Sequence, residues 1–231
     1  MRKYEVNTVL VLCKFISCFI VLDGYIIIVY KKIYNVNIFY NEKREKKIMV
    51  KVTLLGDSIR LIGYGAETVR LLGEGYEVFQ PEDNCRFCKY TLRGLFDWEA
   101  DMKGSEIVHW NNGLWDICRL FGDGTFTTET EYVETMLRIA DILQARYKKV
   151  IFATTTPVRK ENPYNSNEDI KRFNDLIVPK LKARGIVIND LYALLCEDID
   201  RYIADDLLHL SEEGIQVCAK QVANIIKDNV S

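Results

Sequence analysis

Val52-Thr-Leu-Leu-Gly-Asp-Ser-Ile-Arg60 is the stretch around which the rest of the chain can be ordered. Four residues of strand character run into Gly56 and then into the polar pair Asp57-Ser58, with helical sequence beyond. A serine at such a joint stands at the carboxyl end of a buried strand and the amino end of a helix. Unpaired backbone N–H groups and the helix dipole favour negative charge there, so an oxyanion could form. The same three residues also favour turns and helix N-caps, and alone they fit an ordinary turn equally well.

Downstream, Tyr64 to Leu72 has helical character and Gly73-Glu-Gly75 stops it. Tyr76-Glu-Val-Phe-Gln80 alternates like a second strand, and the polar loop Glu82-Asp-Asn-Cys-Arg-Phe-Cys88 leads into a helix through Thr91 to Trp98. Glu106-Ile-Val-His-Trp110 reads as strand three and opens into Asn111-Asn-Gly-Leu-Trp-Asp116. A helical period spans Tyr132 to Tyr147, strand four is Val150 to Ala153, and Thr154-Thr-Thr-Pro157 ends it. A helix over 167–183, strand five at Ile186-Val-Ile188 and a last helix from Ser211 to Lys227 complete the order. Strand and helix alternate five times, which predicts an α/β fold: a three-layer α/β/α sandwich with a five-stranded parallel sheet. Ser58, the Asn84-Cys85 loop, Asn111-Asn112 and Thr155 all follow strands and are expected on one rim, where ligands bind.

The composition narrows the function classes. At 231 residues, 48% hydrophobic and 28% charged, the chain has material for one sizeable core. A net charge of −2, from 31 basic and 33 acidic residues, gives no global bias toward nucleic acid or anionic membrane. The seven cysteines, at 13, 18, 85, 88, 118, 196 and 218, show no scaffold spacing and read as reduced thiols. Cys85-x-x-Cys88 lacks the second pair a zinc ribbon needs, so no metal is expected. No Gly-x-Gly-x-x-Gly or Gly-x-x-x-x-Gly-Lys follows the first strand, which argues against a nucleotide site.

Residues 1–48 differ in character from 49–231 and are treated as an apolar and basic N-terminal extension. Thr8 to Tyr30 is strongly apolar apart from Lys14 and Asp23, and Asn41-Glu-Lys-Arg-Glu-Lys-Lys47 follows. Three readings stand: a membrane anchor over residues 8–30, an accessory helix, or a translated stretch ahead of the true start at Met49. A cytoplasmic location is expected, with membrane attachment as the alternative if that segment is a real anchor.

The second signal is Asp206-Leu-Leu-His209, just ahead of the final helix. At this spacing a turn-like loop can present both side chains on one side, so the carboxylate holds one imidazole nitrogen and the other faces a nucleophile. Serine is a poor nucleophile at neutral pH without such a base within hydrogen-bond reach. His109, the other of two histidines, lies inside strand three between Val108 and Trp110 and is expected to pack or hydrogen-bond there.

Taken together and in order, Gly56-Asp-Ser58, Asn84-Cys-Arg86, Asn111-Asn-Gly113 and Asp206-x-x-His209 resemble the sequence blocks of the SGNH, or GDSL, hydrolase family. The resemblance covers Met49 to Ser231 and implies a flavodoxin-like fold and a serine esterase. It implies Ser58 as nucleophile, His209 as general base and then acid, and Asp206 as the residue orienting His209. For the oxyanion hole it implies the Ser58 N–H, the N–H of Cys85, which stands where the family has glycine, and the side chain of Asn111 or Asn112. Arg60, Arg86, Trp115 and Asp116, in or beside the rim loops, are candidate contacts to a polar substrate such as a sugar. No cofactor is expected, and the partner is a small-molecule ester with a short acyl or acetyl group. The competing class is a binding module that kept the fold without the chemistry.

Overall fold

The computed structural model describes residues 49–230 and, ahead of them, four backbone segments between residues 10 and 40. By their contacts the residues divide into two units, Met1–Ile48 and Met49–Ser231.

In the first unit β1 (Leu10–Cys13), β2 (Ser17–Leu22), β3 (Tyr25–Lys32) and β4 (Asn35–Tyr40) pair in chain order as an antiparallel sheet. Leu12 stands opposite Phe19, Ile20 opposite Ile27, and Val29 opposite Ile38. The expectation of a helix, accessory or spanning, is corrected for these segments: a run dense in Val, Ile, Phe and Tyr is also the composition of strands. No helix among the described residues is long and apolar enough to cross a membrane. The basic run from Asn41 to Lys47 lies outside the described residues.

The second unit is built on β5 (Val50–Leu55), β6 (Tyr76–Phe79), β7 (Ile107–Asn111), β8 (Lys149–Ala153) and β9 (Val187–Asn189). The strands lie in the order β6-β5-β7-β8-β9, all parallel, as the alternation of strand and helix predicts. Chain order reverses between β5 and β7, and the carboxyl side of that crevice is where such sheets bind ligands. Trp110 pairs with both Leu55 and Phe152, and Ala153 with Asn111 and Asn189. The chain therefore leaves four strands at nearly one level, which puts their following loops on a common rim.

On one side of this sheet α1 (Gly65–Leu72) packs on α9 (Glu212–Asp228); elsewhere α5 (Glu129–Arg146) packs between α2 (Cys88–Asp97) and α6 (Asn167–Ala183). Short helices fill the connections: α3 (Glu99–Met102), α4 (Leu114–Ile117), α7 (Leu191–Leu195) and α8 (Ile199–Tyr202). Between β5 and α1 the chain makes a π-helical turn, Ile59–Tyr64.

Helix starts follow side-chain caps. Thr128, Ser166 and Ser211 accept from the N–H groups of Glu131, Asp169 and Gly214 at the heads of α5, α6 and α9. The Thr128 cap begins α5 a turn ahead of Tyr132, where the apolar period begins. The core runs across the whole sheet, with Val52, Leu54, Trp110, Ile151 and Phe152 fully buried and Trp110 edge-on to Phe152 at 5.0 Å.

Candidate active site

β5 ends at Leu55, and the turn after it has little room. A Cβ on Gly56 would lie 1.9 Å from Asn111 Oδ1 and 2.7 Å from the Arg60 Cβ, so only glycine lets the strand pass into the helix here. Asp57, fully buried, turns the chain: its Oδ1 accepts the Ile59 N–H at 3.0 Å and Asn111 Nδ2 at 3.1 Å. Burial pushes the Asp57 carboxyl above the usual range, against the pull of the Asn111 and Ile59 bonds and of Arg60. Ser58 follows in the first helical turn, where its own N–H has no carbonyl within the helix to bond.

His209 arrives from a segment 151 residues away, and its Nε2 stands 3.0 Å from Ser58 Oγ. On the far side of the ring Nδ1 lies 2.7 Å from Asp206 Oδ2. The other carboxylate oxygen, Oδ1, accepts the backbone N–H groups of Leu208 and His209 at 3.0 and 2.9 Å. Burial alone would push the Asp206 carboxyl up, but the bonds from His209 and Leu208 outweigh it and hold it below the ordinary aspartate range. Serine, imidazole and carboxylate thus form one hydrogen-bonded line. That line can pass a proton from the hydroxyl to the ring while the carboxylate fixes the tautomer.

The residues expected to bind an oxyanion are placed differently from one another. The Cys85 N–H donates to the Gly56 carbonyl at 3.2 Å, and its Sγ accepts the Gly56 N–H at 3.3 Å. This corrects the expectation for Cys85: its N–H ties the second loop to the first and is not free for a ligand. Burial pushes its thiol up to about 11, so it stays protonated. The left-handed position in this loop is one residue on, at Arg86, with φ of +47°, the conformation that would favour glycine.

Asn111 stands beside Asp57: one hydrogen of Nδ2 goes to Asp57 and Oδ1 accepts the Tyr64 hydroxyl at 3.1 Å, so one of its two amide hydrogens is used. Asn112 faces the other loop. Its Oδ1 accepts Trp110 Nε1 at 2.7 Å and Nδ2 donates to the Arg86 carbonyl at 2.8 Å, which leaves its second amide hydrogen uncommitted. Gly113 follows at φ of +154°, where a Cβ would meet Thr155 Oγ1 at 1.9 Å. Thr155, on the same rim, donates its hydroxyl to the Asn112 carbonyl at 3.0 Å.

Two of the four expected substrate contacts are interior residues. Arg60 is 1% exposed; its guanidinium donates to the carbonyls of Pro81, Gly56 and Asp83 at 2.8, 3.1 and 2.9 Å. Asp116 is fully buried, accepting the Cys88 N–H at 2.9 Å and the Thr127 hydroxyl at 2.8 Å, and burial raises its carboxyl to about 6. Both are corrections: these side chains join loops to one another and do not face a ligand. Arg86 and Trp115 do reach the surface, Arg86 over the Tyr90 ring at 4.8 Å and Trp115 with 42% exposure.

His109 is structural as expected, with Nε2 3.1 Å from Asn189 Nδ2, its ring edge-on to Tyr64, and burial lowering it to about 3. Cys85 and Cys88 are buried free thiols. Sequence reasoning missed Tyr64, which holds Asn111, and the loop residues Arg159 and Asn162, which bond to backbone carbonyls beside His209. Only their polarity in a long loop after strand four marked the last two.

A doubly wound sheet with a serine at its switch point, facing a histidine and aspartate ahead of the last helix, is the architecture of the SGNH, or GDSL, hydrolases. No family model matches the chain. The curated GDSL esterase/lipase WDL1 of Oryza sativa subsp. japonica is 24% identical over a region covering 63% of this chain and 62% of that protein. Among solved structures, the lipase/acylhydrolase from Enterococcus faecalis aligns with a TM-score of 0.66 at 21% identity, covering 79% of this chain and 98% of the other. The acetyl xylan esterase AlAXEase aligns at 0.65 and 19%, covering 77% and 100%. Axe2, an acetylxylan esterase from Geobacillus stearothermophilus, aligns at 0.63 and 16%, covering 78% and 96%. The fold of Met49–Ser231 is therefore that of the SGNH hydrolases.

Proposed function

We propose that the chain is a serine esterase that hydrolyses a small ester, of short acyl or acetyl type, carried on a carbohydrate. The observation that carries this reading is the unbroken line Ser58 Oγ, His209 Nε2, His209 Nδ1, Asp206 Oδ2, with its two steps of 3.0 and 2.7 Å. Ser58 Oγ attacks the ester carbonyl carbon while His209 Nε2 takes its proton. The carbonyl oxygen becomes an oxyanion, received by the Ser58 N–H and the second amide hydrogen of Asn111 or Asn112. His209 then returns the proton to the departing alcohol oxygen as the carbon–oxygen bond breaks, leaving acyl-Ser58. Water, deprotonated by His209, attacks the acyl carbon, and the proton goes back to Ser58 as the acid leaves. Asp206 orients the ring throughout.

The carbohydrate assignment draws on Trp115, an exposed aromatic of the kind that stacks on sugar rings, on the exposed Arg86 over the Tyr90 ring, and on the fold shared with two acetylxylan esterases. The binding-module reading draws on one observation, the commitment of the Cys85 N–H to Gly56, which leaves the oxyanion one donor fewer. A fluorophosphonate probe separates the two. The esterase is labelled once, at Ser58, and Ser58→Ala abolishes both labelling and turnover of short-chain nitrophenyl esters. Folded wild-type protein that stays unlabelled would make the chain a binding module.

A further inference from the structure

The segment that carries Asp206 and His209 is strained at its centre. Leu207 sits at φ of +70°, a left-handed conformation that crowds a leucine Cβ against the following carbonyl. That conformation lets the N–H groups of Leu208 and His209 both turn onto Asp206 Oδ1. Within the segment, the Leu207 N–H donates to the Ala204 carbonyl at 3.0 Å and the Ala204 N–H to the His209 carbonyl at 2.7 Å. Such strain persists only where the surroundings over-determine it.

The surroundings here are the loop after β8. The Leu207 carbonyl accepts the Arg159 backbone N–H at 3.1 Å and Asn162 Nδ2 at 3.2 Å. Arg159 Nε and Nη2 donate to the Ile203 carbonyl at 2.9 and 2.6 Å, and Nη2 also reaches the Asp200 carbonyl at 2.9 Å. The same nitrogen lies 3.3 Å from the exposed Asp205 carboxylate. The loop is itself fixed: Asn167 bonds Val158 through both N–H and carbonyl, and Asn162 Oδ1 accepts the N–H groups of Tyr164 and Asn165. Arg159 thus grips both ends of the strained segment, the guanidinium on residues 200 and 203 and the backbone on 207.

We propose that Arg159, assisted by Asn162, is a positioning residue for His209, holding residues 203–207 in the conformation that sets the ring against Ser58. It touches neither reacting atom, and its effect on rate rests on the esterase reading above. Lysine cannot replace it, because one ammonium on a flexible stem cannot hold both carbonyls in a fixed fork. In Arg159→Ala the kcat for a nitrophenyl ester falls about 10- to 100-fold while KM stays within about twofold, the signature of misplaced catalytic groups. Fluorophosphonate labelling slows in parallel, and methylguanidinium restores part of the rate. Arg159→Lys recovers little, and Asn162→Ala, which removes one Leu207 contact, shows the same split to a smaller degree. In histidine-labelled protein the downfield Nδ1–H resonance of His209 broadens in the variants.

Folded variants with wild-type kcat and an unchanged resonance would overturn the proposal. So would equal losses in kcat and affinity without rescue by methylguanidinium. Should Arg159→Ala not fold, Arg159→Lys and Asn162→Ala carry the same test. Should wild-type protein resist labelling, the esterase reading fails, and the His209 resonance still decides whether Arg159 holds the segment.

Discussion

Replacing Arg60 by methionine distinguishes a substrate contact from an internal brace. The guanidinium is 1% exposed and donates to the carbonyls of Pro81, Gly56 and Asp83, joining the serine turn to the loop after β6. Methionine fills much of the volume but donates nothing. The Gly56 carbonyl keeps a partner in the Cys85 N–H, and the Asp83 carbonyl is only part-buried, so Pro81 is the carbonyl left wholly unpaired. A buried orphaned acceptor costs about 1–3 kcal/mol. Asp57 also loses the nearby positive charge that offsets its burial, which adds to that cost. Against this, the variant no longer desolvates a cation. A net loss of about 3 kcal/mol follows, or roughly 6–12 °C in thermal midpoint for a domain of this size. Circular dichroism melting measures the shift, and ester kinetics below the transition measure KM. A midpoint within about 2 °C of wild type, together with a raised KM, would refute the internal role.

Further outcomes follow from the same geometry. In the esterase reading, the asparagine that donates to the oxyanion loses about 10²- to 10³-fold in kcat on replacement by alanine, and Asn112→Ala also lowers the melting midpoint because Trp110 Nε1 and the Arg86 carbonyl lose their partner. Asn111→Ala likewise costs stability, since its amide braces Asp57 and Tyr64; kcat losses below about tenfold in both variants would leave the oxyanion without an asparagine donor. Asp116, raised to about 6, binds its proton more tightly folded than unfolded. Its contribution is therefore most favourable below about pH 4 and falls as pH rises to about 6. Urea titrations should show wild type losing up to about 3 kcal/mol relative to Asp116→Asn between pH 4 and pH 7, and a pH-independent difference would contradict the burial argument.

Much of the domain was legible because its signals are local. Period-two and period-3.6 runs marked the strands and long helices, and Gly56-Asp57-Ser58 and Asp206-x-x-His209 each fall in one short segment. The roles of Arg60 and Asp116 were not legible, because a polar residue beside a site loop reads alike whether it faces solvent or turns inward to satisfy carbonyls. Cys85 was misjudged for a related reason. Sequence alignment places the missing glycine by neighbouring letters, whereas the backbone puts its left-handed turn at Arg86. The caps Asp190 and Asp198, which start α7 and α8, were present in the sequence, but helices this short carry no apolar period. In residues 10–40, the bias toward Val, Ile, Phe and Tyr served helix and strand equally.

The exposure of Asp206 sharpens what that residue does. Its side chain is 52% exposed and that of His209 29%, so as an ion pair in water they would contribute little, about 0–1 kcal/mol. What distinguishes Asp206 from a surface partner is that Oδ1 is already held by two backbone N–H groups, leaving Oδ2 aimed at Nδ1. The entropy of ordering the carboxylate is met by folding and is not paid at each turnover. Because these bonds also hold its carboxyl low, the stability Asp206 supplies is present above the ordinary aspartate pKa and lost as pH falls through the folded value. In the esterase reading, orientation more than charge is thus what Asp206 gives His209. Leu207 stands between them in a left-handed conformation, and its carbonyl is held by the Arg159 backbone N–H and by Asn162 Nδ2.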